Sequence, residues 1–375
     1  MVKRLDILEF NALDAESNLM LVTNEMMRSF IHRRMNDILS RRQIELYDKL
    51  LKANRSRYIA AESMEDRLDD NYKTRYERYR SWTARLAIRC VDDLFRKCSI
   101  DRSAIKVVVA NTTVGGMVPN ITSLVGHHLS LHHGVRMIEL GYMGCATALL
   151  ALEVVEQQLK PGEIGLVLTS ELTSFMANLN ADSDASLVAN TVFGDGVGAF
   201  LVAKRPHSER GILRVIDHTG SVQTDEKALS AISYEPNPVY HEIRIHETIP
   251  DVAAKGISHV MKPMVRRNLA SLIDKVLYAA NGRIPRWQDR VGRVVLHTAG
   301  RKVLEGVAQA LTLSTYQVSH NFEAFRKYGN TSSASIYYAL DEMVRARPIE
   351  RGETLLFIGY GSGFMTRATL MEGLS

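Results

Sequence analysis

Cysteine is scarce in this chain. Three occur in 375 residues, Cys90, Cys98 and Cys145, and so sparse and odd a set excludes a disulfide-stapled secreted scaffold. Long apolar runs are also missing. None approaches the length of a membrane-spanning helix. The start, Met1-Val-Lys-Arg-Leu-Asp6, lacks the apolar core of a signal peptide. A cytoplasmic location is therefore expected. No Walker A or dinucleotide glycine pattern is present, so no nucleotide cofactor is expected. Excess charge of one sign is absent too. The net charge is +5, with 47 basic and 42 acidic residues intermixed, which argues against nucleic-acid binding. A few cations remain for a phosphate-bearing ligand.

What is present suits a globular chain. Hydrophobic residues make up 46% and charged ones 24%, and the length supplies one large domain or two medium ones. Residues 15–100 read as a charged, helix-rich region that shapes an entrance, with proline-free helical periodicity over Arg41–Lys52 and Tyr72–Cys98. Cys90 and Cys98 fall on that pattern as ordinary buried thiols. From Ile105 the pattern becomes α/β. Strands are expected at Lys106–Ala110, Val135–Leu140, Ile164–Thr169 and Val197–Ala203, with a helix over Thr122–His133. The polar stretch Lys204–Gly211 reads as a link between halves. A second series follows, with strands at Ile212–His218, Val291–His297, Thr354–Tyr360 and Phe364–Met371. A long helix is expected over Ile257–Ala280. Domains are thus expected at 1–205 and 206–375. His127, His128, His132 and His133 cluster on one predicted helix, but no carboxylate or cysteine nearby completes a ligand set. A surface or subunit-face cluster and no metal are expected.

Cys145 has the most informative surroundings. It follows the apolar run ending at Gly141 and opens the periodic segment that runs to Pro161-Gly162. That reads as strand, tight turn and helix start, where free N–H groups and the helix dipole favour a thiolate. Gly144 leaves room for a substrate. An inert buried thiol is the competing reading. Val294-Val-Leu-His297 ends a β-rich run, and Gly329-Asn330-Thr-Ser-Ser-Ala334 opens a helix. His297 alone also fits a core histidine, and Asn330 alone a helix cap. Together, the three supply a nucleophile, an imidazole and an amide donor, the set needed for covalent acyl chemistry.

This order of Cys145, His297 and Asn330 resembles the Cys-His-Asn triad of decarboxylating condensing enzymes of the thiolase superfamily. The resemblance is closest to type III polyketide synthases (chalcone synthase-like) and 3-ketoacyl-CoA synthases. Phe193-Gly-Asp-Gly-Val-Gly-Ala199, Tyr328-Gly-Asn-Thr-Ser-Ser-Ala334 and Gly359-Tyr-Gly-Ser-Gly-Phe364 are similar to three further family segments. No cysteine follows Cys145 and no histidine follows His320, which excludes the superfamily's two-cysteine and Cys-His-His variants.

The resemblance implies an α/β fold, a five-layer α-β-α-β-α sandwich of two similar halves. It implies that Cys145 takes an acyl group from coenzyme A or an acyl carrier protein. His297 and Asn330 then hold a malonyl-type thioester through decarboxylation, with no cofactor. It also implies a homodimer in which Met117 borders the partner's cavity. Phe193 matches a gatekeeper, and Thr173, Met176, Ala189 and Ser332 match cavity-lining positions. Ile243 stands where chalcone synthase-like enzymes carry a second phenylalanine. Lys52, Arg55 and Arg57 fall near basic coenzyme A contacts, or form a solvated helix face. Ala146-Thr-Ala-Leu149 and Thr298-Ala-Gly-Arg301 look more like elongases, which speaks against iterative extension and ring closure and leaves a single condensation or the joining of two acyl chains. An acyltransferase passing its acyl group to an alcohol or amine is the alternative, and a silent partner subunit a third.

Overall fold

The computed structural model describes residues 5–374 apart from 69–70, 206–210, 237–240 and 270–285. Most of the expected Lys204–Gly211 link and the far end of the expected Ile257–Ala280 helix lie outside the described residues.

The chain opens with β1 (Leu5–Ala12) and the short α1 (Ala15–Asn18). A cap follows, made of β2 (Met20–Thr23), α2 (Asn24–Arg34), α3 (Arg41–Leu50) and β3 (Ser56–Ile59), and then α4 (Tyr72–Arg96). The α/β series comprises β4 (Ile105–Thr112), α5 (Ile121–His128), β5 (Arg136–Gly141), α6 (Thr147–Gln158), β6 (Ile164–Glu171), α7 (Asp184–Val192) and β7 (Gly196–Lys204). Next come β8 (Leu213–Val222), α8 (Glu226–Leu229), β9 (Ile232–Pro236), β10 (His241–Ile245) and α9 (Ile249–Met264). The chain closes with β11 (Arg293–Leu296), α10 (Arg301–Ala310), α11 (Thr315–Tyr328), α12 (Ser335–Ala346), β12 (Thr354–Gly361) and β13 (Met365–Gly373).

The main sheet runs β11-β12-β13-β8-β1-β7-β6-β4-β5. Its two ends repeat one pattern. In the first, β4 pairs parallel with β6, β6 antiparallel with β7, and β7 antiparallel with β1. In the second, β11 pairs parallel with β12, β12 antiparallel with β13, and β13 antiparallel with β8. Among the described residues, the two ends of the sheet pair with each other where β1 meets β8, at Asp6↔Arg214 and Ile7↔Leu213.

Helices α6 and α12 form the middle layer. Helix α6 touches β4 and β6 of one half and β12 and β13 of the other, while α12 touches β1, β7 and β11. Residues Ser335–Leu340 of α12 are all buried, as expected of a helix apolar on every side. Helices α4 and α5 cover one outer face and α9 and α11 the other. Of the strands between, β6 is buried at every residue and β4 at all but one, the signature of a sheet covered on both faces. This is the expected five-layer arrangement.

Three local expectations change. Helix α5 ends at His128, so His132 and His133 lie beyond it. His128 pairs with Asp92 at 3.0 Å, and His132 Nδ1 accepts from the Gly134 N–H at 3.1 Å. The cap is not purely helical, because β2 pairs with β3 from Met20↔Ile59 to Thr23↔Ser56. The central strand β1 was not expected at all.

Candidate active site

The nucleophile's placement follows from the β5–α6 turn. Cys145 lies just before α6, and Thr147 Oγ1 donates to the Gly144 carbonyl at 2.5 Å, closing the turn. Gly144 has φ +79, and a Cβ there would come within 2.7 Å of the Ser362 nitrogen. This glycine therefore makes room for the Ser362 loop rather than for a substrate. The Cys145 side chain is 6% exposed, and its Sγ accepts from Ser332 Oγ at 3.3 Å.

Asn330 is set by the end of α11. A Ser314–Gln317 capping box starts that helix, and Gly329, at φ +71, turns the chain out of it. The Asn330 N–H then donates to Val192 O at 2.8 Å, and its carbonyl accepts from the Gly194 N–H at 3.0 Å. The triad residue is thereby locked to the backbone on either side of Phe193. Its Oδ1 accepts from the Ser332 N–H at 2.9 Å, and Nδ2 donates to Ala299 O at 3.2 Å. Asn330 thus makes a cap-like bond and still keeps a second Nδ2 hydrogen.

His297 follows β11, with its N–H on Ile358 O at 2.9 Å. Its Nδ1 lies 2.7 Å from Ser335 Oγ, which accepts from the Thr298 N–H at 3.3 Å. The Ser335 hydroxyl can donate to Nδ1 or accept from it, so the contact orients the ring without fixing its tautomer. Tyr360 packs edge-on against the ring, with centroids 5.2 Å apart.

Cys145, His297, Asn330, Phe193, Tyr360 and Lys302 line one cavity of about 310 Å³. Thr173, Met176, Ala189, Ile243, Arg57 and Phe193 line a second, of about 50 Å³. Phe193 is common to both and so stands between them. Thr173 Oγ1 donates to Gly194 O at 2.9 Å, and Asp195 accepts from Ser174 N and Ala60 N at 2.8 and 2.7 Å. The acid of the Phe193–Ala199 segment is a buried tie holding the second cavity's wall.

Not every expected residue lands as read. Met117 is 7% exposed and packs into its own chain's core, because the loop turns it inward; its neighbour Val118 is 84% exposed. Lys52 and Arg55 line an outer polar cleft with Asn24 and Arg28. Arg57 is 3% exposed and faces inward, so a solvent-facing coenzyme A contact does not fit it.

Electrostatics overturn the thiolate expectation. Burial pushes the Cys145 thiol up to about 12, with the Glu171 charge adding to it and the Ser332 hydrogen bond opposing. Burial outweighs the helix start. His297 is driven down to about 3 by burial, against a backbone hydrogen bond at Ser332. A neutral ring cannot form an ion pair with a Cys145 thiolate. Glu171, fully buried, is raised to about 7 by burial against its hydrogen bonds. It accepts from Thr113 Oγ1 at 2.6 Å and from Ser333 Oγ, and Ser332 Oγ lies 3.3 Å from both Thr113 Oγ1 and the Cys145 sulfur, its one hydrogen serving either. A chain of hydroxyls thus links the sulfur to a buried acid. Glu171, Thr113, Ser335 and Tyr360 were not foreseen. One signal existed for Glu171, an acid ending an otherwise apolar strand.

A thiol, a neutral imidazole and an amide converging at the starts of two central helices define a condensing enzyme of thiolase-like fold. The FAE1/Type III polyketide synthase-like protein family matches residues 3–281, and the 3-Oxoacyl-[acyl-carrier-protein (ACP)] synthase III C terminal family matches residues 287–372. The chain belongs to the FAE1/type III polyketide synthase-like family. It is 24% identical over 316 residues to 3-ketoacyl-CoA synthase 7 of Arabidopsis thaliana, covering 79% of this chain and 67% of that one. It is 26% identical to beta-ketoacyl-[acyl-carrier-protein] synthase III of Coxiella burnetii (strain CbuK_Q154), covering 77% and 83%. The chain spans about two thirds or less of the 3-ketoacyl-CoA synthases it matches, 67%, 63% and 57% in three cases. In fold it is similar to the C-terminal type III polyketide synthase domain of Steely1 from Dictyostelium. That likeness has a TM-score of 0.81 at 17% identity over 99% of this chain and 100% of that domain. PKS-I of the brown alga Ectocarpus siliculosus gives 0.80 at 16%, over 100% and 99%.

Proposed function

We propose that the protein is a ketosynthase forming a carbon–carbon bond by decarboxylative Claisen condensation. The observation that carries this reading is the convergence of Cys145, the His297 ring and Asn330, whose Nδ2 keeps a second hydrogen, on one cavity. Cys145 sulfur attacks an acyl thioester, and the departing thiol carries away the proton Cys145 gives up. A malonyl-type thioester then binds with its carbonyl on His297 and Asn330. Carbon dioxide leaves, and the two donors stabilise the enolate oxygen. The enolate carbon attacks the acyl carbon, giving a β-ketoacyl thioester and a Cys145 thiolate, which takes a proton from water to restore the thiol. The reading needs no cofactor beyond its thioesters, which we take as coenzyme A thioesters, with an acyl carrier protein as a further candidate donor. Lys52 and Arg55, on the outer cleft, are the candidate phosphate contacts.

A homodimer belongs to this reading. Val118, Tyr142 and Met143 are 84%, 60% and 41% exposed beside the sheet-edge strand β5, an apolar patch that suits a second copy. Met117 is not its leading residue. We place the enzyme in the cytoplasm, in keeping with three free cysteines. Supplying malonyl-CoA and an acyl-CoA together should release carbon dioxide and yield a β-ketoacyl product. Acyl transfer to an alcohol or amine, with no carbon dioxide released, would refute the assignment.

A further inference from the structure

The second cavity is mostly apolar, with Thr173, Ser174 and Asn190 in its wall, and Arg57 brings a charged side chain to it beside Val22, Met27, Ile59 and Met176. A guanidinium carries five N–H donors. Arg57 spends one nitrogen on the Thr191 carbonyl and another on the Met27 sulfur, and a thioether is a weak acceptor. Arg55 donates to the same Thr191 carbonyl and adds a second positive charge alongside. The carbonyl lies in the last turn of α7, whose negative dipole end accounts for part of this arrangement. It does not neutralise two guanidinium groups. Among the described residues no carboxylate pairs with Arg57, although ion pairs are common elsewhere in the chain. An uncompensated buried charge is costly, and this one faces a cavity that shares Phe193 with the Cys145 cavity.

We propose that Arg57 is a specificity-determining residue that receives the anionic far end of the acyl chain carried on Cys145, so that the favoured acyl donors are thioesters of dicarboxylic acids. The proposal rests on the ketosynthase reading, because it needs an acyl group on Cys145 that passes Phe193 into the second cavity. The carboxylate would supply the missing counter-charge through a charge-assisted, two-pronged hydrogen bond. A methyl-ended chain leaves the guanidinium unmatched in an apolar enclosure.

The test is competitive loading. Pairs of coenzyme A thioesters, one ending in a carboxylate and one in a methyl group at the same chain length, are offered to the full chain, and acylated Cys145 is read by intact mass. The expected result is a preference of about tenfold or more for the carboxylate-ended member at one chain length. Arg57→Met should reverse the preference while methyl-ended loading persists, and Arg57→Lys should restore part of it. A thermal melt of each variant separates a folding defect from a change of selectivity. Equal loading of both members by the natural chain, whatever the variants do, overturns the proposal and leaves the ketosynthase reading standing. If Arg57→Met folds but lowers loading of both members alike, Arg57 only caps α7, and the proposal also fails. If no thioester loads, the ketosynthase reading itself fails.

Discussion

The two halves of the sheet share a pairing pattern but carry different chemistry. In the first, the central helix α6 is preceded by Gly144-Cys145; in the second, α12 is preceded by Asn330 and opens with Ser335. In the proposed reaction, one half would supply the nucleophile and the other the donors that handle the second substrate. Both sets are built at the start of a buried helix that touches strands of both halves. Repeating a fold does not repeat its chemistry, because the side chain at a helix start contributes little to the packing that holds the helix. Leu152 and Leu340, fully buried within α6 and α12, do that work on either side. Truncating either to alanine should cost about 2–5 kcal/mol of stability.

If the halves divide the labour this way, variants should fail at different steps. The largest effect is expected from Cys145→Ala, which should abolish acylation, read by intact-protein mass spectrometry. Retained loading at Cys90 or Cys98 would dissolve the contrast. Next comes Asn330→Ala. It should still accept an acyl group but lose malonyl decarboxylation by roughly 10²–10³-fold, followed by carbon dioxide release. Equal loss of both steps would show that the Ser332 and Ala299 hydrogen bonds of Asn330 serve structure alone.

The halves should also differ in their response to pH. His297 is depressed from 6.5 to about 3, so the unfolded chain binds the proton more readily. Its contribution is present above about 6.5 and is lost as pH falls towards about 3. Glu171 is raised from 4.5 to about 7, so the folded chain holds that proton better. Its contribution is present below about 4.5 and is lost as pH rises through about 7. Denaturant melts should therefore show His297→Gln flattening the acid limb and Glu171→Gln flattening the neutral one. Exchanged limbs would reverse the assignment. The smallest effect belongs to Lys52→Ala at the outer cleft. It should raise KM for a coenzyme A thioester by severalfold or less, an effect that shrinks as salt rises.

Much of this was legible in the order of residues. The strand–turn–helix pattern around Cys145, the glycine before Asn330 and the end of the Val294–His297 run are local signals, carried by period, turn chemistry and caps. Residues that tie the site together were less legible when their partners are distant. Thr113 and Glu171 meet Ser332 and Ser333, and Asp195 reaches Ala60.

By itself, then, the sequence determined the alternation of strands and helices, the three candidate reacting residues and the family the chain belongs to, since each rests on neighbours along the chain. Tertiary structure alone decided the protonation states, the inward turn of Met117 and the cavity that Arg57 faces. A pKa depends on how much water is excluded and which charges stand nearby, and those neighbours come from elements far apart in the sequence. Cys145 shows the difference. Its place at a helix start pointed to a thiolate, whereas burial, with the Glu171 charge adding to it, pushes the sulfur towards the thiol.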